Sequence, residues 1–363
     1  MPTRQSWVRN KASGEKALKV IPIRVRPWWW EDGAGKVFLS LEPTGRLIEI
    51  AASGRSKDAP GRFLPPTGGL SICRRHCTQT TVPGSMVVNV AAEDQAPQGQ
   101  SWIAVGELAD SFASDANLLP PVEDLAGRDF ALMDEAAGRT QLRIARDACT
   151  VTDAGGTRRA GLVATSLRPD VYLLDIRDPA APRRTLVVVL DLAVHAATIV
   201  EAQLPEPTAV DEPLFRRARR GVPLTSVTGR FRAASIDRPF DPATAHPPTR
   251  DLVGLRLRHR YNAGELYEHV YLNERRYCWH CLEGSEQSLA DVDECDFRKI
   301  RDGLYLFAWR EKLIPTFGLV LMDLDALRTT GKIMGFKDDT FETVTHFSVG
   351  ALSKIVNRVP AGL

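Results

Sequence analysis

The sequence predicts an all-β protein made of two tandem copies of one antiparallel β-domain, a barrel or a sandwich. Three observations predict it. Short β-branched or aromatic runs such as DVYLLDIRD, RTLVVVLDL and AATIVEAQL are each bounded by Pro, Gly or Asp, which is how strands read. Turn signals recur every ~8–12 residues, the spacing of a sandwich or barrel. The second half also repeats the first. DVYLLDIRDPAAPRRTLVVVLDLAVHAATIVEAQLP resembles GLYLFAWREKLIPTFGLVLMDLDALRTTGKIMGFKD, with Tyr172 aligned on Tyr305 133 residues later. LAGRDFAL likewise resembles LVGLRLRH, with Leu125 aligned on Leu252. Repeats this long are domains rather than solenoid units.

The 363 residues suffice for two domains, and 44% hydrophobic with 25% charged residues is a globular balance. No apolar run approaches ~20 residues, so no membrane span is expected. The net charge of +2 hides an asymmetry. Residues 1–90 are clearly basic, whereas the rest carries a mild excess of Asp and Glu. No nucleic-acid partner is expected of such a body. The six cysteines, Cys73, Cys77, Cys149, Cys278, Cys281 and Cys295, are too sparse for a disulfide framework. No secretory signal precedes them, so a cytoplasmic location with reduced thiols is expected.

Residues 1–100 form a basic, Gly/Pro-rich stretch (RPWWWEDGAGK, SGRSKDAPGRFLPPTGG) and read as a weakly ordered extension. KVFLSLE and RLIEIAA have strand character there, and a start at Met86 fits the reading. The two repeats occupy 101–245 and 246–363. GELADSFASDANLLPPVEDLAGRDFAL, at the head of the first, reads as a polar connection followed by a strand start. PTAVDEPLFRRARRG has helical spacing and ends at Gly221, and DRPFDPATAHPPTRD is a Pro-rich linker.

Strand parity assigns the candidate site. In VGLRLRHRY, Leu255, Leu257, His259 and Tyr261 share one face, and Arg256, Arg258 and Arg260 must face water. LYEHVYL and RYCWHCL make a hairpin around NER. On its second arm Tyr277, Trp279 and Cys281 share a face opposite Cys278, His280 and Leu282. The two cysteines therefore point apart and close neither on a metal nor on each other. In LYLFAWRE, the residues Tyr305, Phe307, Trp309 and Glu311 share a face. A carboxylate in an aromatic row must be hydrogen-bonded or protonated. The bland alternative places Glu311 at the rim, paired with Arg310 or Lys312.

Other motifs carry less. CRRHC (Cys73 to Cys77) has no second ligand pair nearby. Gly331-Lys332 in TTGKI echoes the end of a phosphate loop, but the upstream glycine is absent and a strand follows. His269, His280 and His346 are lone histidines of the structural kind. Asp291, Asp293, Glu294 and Asp296 in ADVDECD lack the glycine and distal glutamate of a calcium loop and read as a solvated turn. No metal and no cofactor are expected.

On the segments YEHVYLNERRYCWHCLEG, LADVDECDFRKI, LYLFAWREKLIPTFGLV and LRTTGKIMGF, with WIAVGELADSFASDANLLPPVEDLAG upstream, the chain resembles the molybdenum cofactor biosynthesis F (MoaF) family. The resemblance covers about Trp102 to Pro360 and is most specific in the second half. It implies two tandem lipocalin-like (calycin) antiparallel β-barrels and an association with molybdenum cofactor biosynthesis. A weaker similarity links the second repeat to phenolic acid decarboxylases, which are also calycin barrels. That family has two tyrosines at the positions of His259 and Tyr261, a Tyr-Glu like Tyr267-Glu268, and a Trp-x-Glu like Trp309-Arg310-Glu311. It implies that the first pair holds a carboxylate and that the glutamate handles the proton. Here His259 replaces one tyrosine, and Ser288 stands where that family carries a catalytic arginine.

Three functions follow. The leading one is a small organic ligand bound in the C-terminal barrel, enclosed by Tyr267, Trp279, Tyr305, Phe307 and Trp309 and contacted by His259, Tyr261 and Glu311. The second is a decarboxylase-like lyase or isomerase with Glu311 as general acid/base. The third is a non-catalytic interaction module with both barrels filled. The sequence leaves the oligomeric state open.

Overall fold

The computed structural model describes residues 102–113, 116–210 and 212–359 in full. Residues 1–98 form a separate unit. There only backbone strands are described, among them a three-stranded antiparallel sheet of Trp28–Glu31, Val37–Leu41 and Arg46–Ile50. The expectation of a weakly ordered extension, the start at Met86 and the CRRHC motif otherwise lie outside the described residues.

The body begins with a helix, α1 (Val105–Ala113). Eight strands follow: β1 (Asp129–Asp134), β2 (Arg139–Ile144), β3 (Ala148–Asp153), β4 (Gly156–Arg168), β5 (Val171–Arg177), β6 (Arg184–Asp191), β7 (Ala196–Gln203) and β8 (Thr228–Ile236). Between β7 and β8 lie α2 (Pro207–Val210) and α3 (Leu214–Arg219). The segment with helical spacing is thus two short helices, parted at Pro213, with Gly221 in the left-handed region just beyond. Eight more strands follow: β9 (Leu255–Arg260), β10 (Leu266–Asn273), β11 (Arg276–Glu283), β12 (Ala290–Arg301), β13 (Leu304–Arg310), β14 (Thr316–Asp323), β15 (Arg328–Phe336) and β16 (Val344–Arg358).

Each set of eight pairs antiparallel in sequence order and closes on itself, β8 on β1 and β16 on β9. The repeat is therefore two closed barrels, and the sandwich alternative is excluded. Within each barrel alternate residues fill the lumen. Phe130, Leu142, Val151, Tyr172 and Leu186 lie in the first core, and Leu257, Tyr271, Tyr277, Phe297 and Phe307 in the second.

A third core lies between the barrels. Val171, Leu173, Val187 and Val189 on the outer faces of β5 and β6 meet Leu304, Leu306, Leu319 and Phe336 on β13, β14 and β15. These strands are buried on both faces, which is why RTLVVVLDL is a continuous apolar run instead of an alternating one. Two bidentate ion pairs sit side by side at one end of the contact and mirror each other across the repeat. Arg168 grips Asp323 (2.6 and 2.9 Å), and Arg301 grips Asp191 (2.8 and 2.7 Å). Farther along the interface Lys332, fully buried, reaches Asp175 Oδ1 at 2.5 Å, Thr185 Oγ1 at 2.8 Å and His346 Nδ1 at 3.0 Å. Lys332 is thus an interface cation rather than part of a phosphate loop.

The polar connection expected at GELADSFASDANLL is in fact the amphipathic α1 and its extension, and it docks on the second barrel. Val105, Leu108 and Phe112 belong to the second barrel's core. A Cβ at Gly335 on β15 would run into the Val105 side chain, so the helix needs glycine there to dock. The chain segment that leads into the first barrel therefore covers one end of the second.

Candidate functional site

The site sits at the end of the second barrel that α1 covers. Three turns meet there: β9–β10 (Tyr261 to Glu265), β11–β12 (Gly284 to Leu289) and β13–β14 (Glu311 to Pro315). Parity sends His259, Tyr267, Trp279, Cys281, Phe307 and Trp309 inward, and all are buried, with Tyr261 just beyond β9. Trp309 lies flat only because β14 places Gly318 opposite it, where a Cβ would strike the indole. Phe112 of α1 stacks on Tyr261 at 4.6 Å, and Trp102 meets Trp279 edge-on at 5.6 Å. Asn262 Nδ2 donates to Ser111 O and Asn117 N donates to Tyr261 O, both at 2.8 Å, which ties the segment on both sides of the helix to the mouth.

Three carboxyl groups converge under this cover, each holding an aromatic donor. Trp309 Nε1 donates to Glu311 Oε1 at 2.9 Å. Trp279 Nε1 donates to Asp293 Oδ2 at 3.0 Å. The Tyr267 hydroxyl donates to Glu286 Oε2 at 2.9 Å. Asp293 is 2% exposed and lies on β12, so ADVDECD is a strand with an inward acid and not a solvated turn. Lys312 balances it, with its Nζ at 3.3 Å from Asp293 Oδ1, 2.7 Å from the Val292 carbonyl, and paired with Asp291.

Glu311 has no cation among the described residues. Burial, and then the carboxyls of Asp293 and Glu286, push it well above the usual carboxylate range. As a residue Glu311 keeps some exposed surface, but its carboxyl end is enclosed by protein. The rim pairing with Arg310 or Lys312 does not occur: Arg310 binds Asp296, and Lys312 binds Asp291 and Asp293. Burial and the Glu311 charge together raise Tyr261, and burial followed by Asp291 and Asp293 raises Cys278 on the outer face.

One layer deeper, His259 and His269 lie with ring centroids 4.6 Å apart. They are 2% and 5% exposed. His259 Nδ1 meets Ser353 Oγ at 2.9 Å, but His259 Nε2 and His269 Nδ1 are buried and have no partner. Burial lowers His259 to about 4 and His269 well below its usual value, so both rings are neutral.

The predicted residues thus divide. Tyr261, Tyr267, Trp279, Trp309 and Glu311 gather at the mouth. His259 belongs to the imidazole pair beneath. Phe307 packs between Phe297 and Trp309 in the filled middle. Tyr305 points to the far end, where its hydroxyl donates to Asp251 Oδ2 at 3.0 Å. Glu268, the partner of Tyr267 in the decarboxylase pattern, faces outward between Arg256 and Arg258. Cys281 lies in the lumen and Cys278 outside, as parity requires, and both are free thiols. Sequence reasoning missed His269, Glu286 and Asp293 as lumen groups. Parity could have found His269, which shares a face with Tyr267. It also missed the α1 cover, signalled by Val105, Leu108 and Phe112 at helical spacing. No group of three or more His, Cys, Asp or Glu is arranged to hold a metal among the described residues. No helix there is long and apolar enough to cross a membrane.

Two closed eight-stranded antiparallel barrels in tandem, packed face to face, with a polar cluster at one covered mouth, define a double lipocalin-like barrel protein. Comparison with known sequences agrees: the model of the MoaF N-terminal domain matches residues 100–206 and that of the MoaF C-terminal domain residues 246–359. Protein MoaF of Klebsiella aerogenes is 40% identical over 256 residues, 70% of this chain and 95% of that protein. The chain belongs to the MoaF family. A crystal structure from Burkholderia vietnamiensis, provisionally described as a beta-lactamase, aligns at 14% identity over 29% of this chain and 96% of that one, with a TM-score of 0.25.

Proposed function

We propose that the protein binds a small planar organic ligand under α1 at the mouth of the second barrel, and that this binding is its part in molybdenum cofactor biosynthesis. The observation that carries the reading is the group of three buried carboxyls, Glu311, Asp293 and Glu286, each held by an aromatic donor, above two neutral imidazoles with unpartnered nitrogens. Buried polar atoms without partners are rare and call for a ligand or ordered water. The charge of the mouth selects the ligand. Acids outnumber cations, so an anion is repelled, whereas a flat heterocycle rich in N–H donors, such as a pterin, would meet acceptors on every side. The indoles and Tyr261 offer it stacking faces. The free thiols at Cys149, Cys278, Cys281 and Cys295 fit a reducing, cytoplasmic setting.

A second reading, an acid/base lyase or isomerase, is favoured by Glu311 itself. A carboxyl that holds its proton more tightly than usual, beside a phenol, can give a proton to a bound ligand and take one back. Decarboxylation of a phenolic acid is the weaker form of this reading. With His259 neutral, Ser288 in place of arginine and Lys312 bound to Asp291 and Asp293, no unpaired cation faces this mouth among the described residues.

The test is a thermal-shift panel of pterins and phenolic acids on the full chain, wild type and Glu311→Gln. Pterins should stabilise the wild type and not the variant. A wild type that responds to neither class, or equal responses in both proteins, would overturn the reading.

A further inference from the structure

The corresponding mouth of the first barrel is built differently. Where α1 covers the second barrel, the first opens into a cavity of about 690 Å³, within the size range of small-ligand sites. The β1–β2, β3–β4 and β5–β6 turns and the ends of β7 and β8 surround it. Parity turns Arg158, Arg184, Arg230 and Arg232 inward. Arg158 shares a face with Ala160 and Leu162, Arg184 with Leu186 and Val188, and the other two with Ala234 and Ile236, all members of the first core. Ile176 and Leu186 also line the cavity.

The repeat alignment shows one reversal of charge between the two mouths. Asp178 stands where the second barrel has Glu311, but Arg158 stands where it has Asp291. Arg158 is occupied by Asp153 at 2.9 Å and Asp178 at 3.7 Å. Arg232 is occupied by Asp134 and by Glu201 at 3.2 Å, although its Nε is a buried donor without a partner. Arg184 and Arg230 line the same cavity and have no ion pair or side-chain hydrogen bond among the described residues. The three acids lining the cavity, Asp153, Asp178 and Glu201, are all engaged with Arg158 or Arg232, so Arg184 and Arg230 remain over an apolar floor, with Arg139 at the edge bonded only to Gln141.

We infer that the mouth of the first barrel is a second, separate ligand site that takes a small organic anion, its carboxylate or phosphate held by Arg184 and Arg230 and its apolar body resting on Ile176 and Leu186. Planar guanidinium groups suit both anions because each can make paired N–H···O bonds. Carboxylate and phosphate share this chemistry, and the experiment separates them.

Calorimetric titration of the full chain with benzoate, phenyl phosphate and neutral benzyl alcohol tests the site. At least one anion should bind at one per chain, more weakly as salt is added, while benzyl alcohol should not. Tighter binding of benzoate assigns the site to carboxylates, and tighter binding of phenyl phosphate to phosphate esters. Arg184→Gln with Arg230→Gln, both at exposed positions, should weaken the anion at least tenfold with an unchanged Tm. The paired Arg→Lys variant should retain part of the affinity. Glu311→Gln should leave anion binding untouched, which separates this site from the one under α1. Absence of binding by both anions at millimolar concentration, equal binding of benzyl alcohol, or full affinity in the double Gln variant would overturn the assignment.

Discussion

The ring of Phe112 stacks on the ring of Tyr261, with centroids 4.6 Å apart and planes 28° from parallel, although one residue precedes the first barrel and the other lies in the second. This contact makes the entry segment of one domain the cover of the other's mouth. Phe112 is 5% exposed and also meets Tyr267 and Phe347 edge-on.

Phe112→Ala should therefore cost about 3–5 kcal/mol of unfolding free energy, the usual range for a buried Phe truncated to Ala. Urea denaturation measures it. Hydrogen exchange should show the Asn117 amide, which donates to Tyr261 O, losing protection in the variant. Wild-type stability together with wild-type exchange would mean that the helix does not hold the mouth closed.

The barrels should depend on the Lys332 ion pair. Burial would raise Asp175, but Lys332 and Arg177 outweigh it and keep the carboxyl ionised, while burial lowers Lys332 to about 8. Removing one partner leaves a buried charge. Lys332→Met should destabilise by about 3–5 kcal/mol. Adding Asp175→Leu should recover part of that, so the double variant should lose less than the sum of the two single ones. Additive losses in denaturation would show that the pair is not coupled.

Glu311 has a signature in the pH dependence of stability. Its folded value is raised well above 4.5, so the folded state holds the proton more tightly than the unfolded chain. The stability this gives is complete below about pH 4.5 and is lost as pH rises through the folded value. Glu311→Gln cannot titrate. Its Tm should match or trail the wild type near pH 4.5 and gain on it steadily towards pH 8. The histidines act in the opposite sense. His246, His259 and His346, lowered by burial to about 4, cost stability as pH falls from 6.5 towards 4. A Tm difference between wild type and Glu311→Gln that does not change with pH would place the Glu311 carboxyl in water.

Much of this was legible in the sequence because strand parity is strict. Tyr305, Phe307 and Trp309 alternate with Leu304, Leu306 and Ala308, and the first three face the lumen as parity requires. The tandem repeat gave two domains, and closure into barrels followed from the resemblance. Parity does not say what lies outside a barrel. Leu304, Leu306 and Ala308 were placed opposite the lumen, but their packing on Val171 and Leu173 depends on how two domains dock. ADVDECD was misread because four acids in seven residues suggest a turn, whereas alternation puts Asp291, Asp293 and Cys295 on the inner face and Glu294 and Asp296 on the outer one. The helix over 105–113 escaped because its apolar anchors are diluted by polar residues and find partners as distant in sequence as Tyr261, Gly335 and Phe347. The depth of Tyr305 in the barrel could not be read either, since parity fixes a face but not a height.

The most direct measurement is calorimetric titration of a pterin into the full chain, run in parallel on wild type, Glu311→Gln and the Arg184→Gln/Arg230→Gln pair. Binding under α1 predicts one pterin per wild-type chain, affinity at least tenfold weaker in Glu311→Gln, and no change in the arginine variant. A pterin that fails to bind the wild type, or that binds Glu311→Gln equally well, would contradict a ligand site at the mouth of the second barrel.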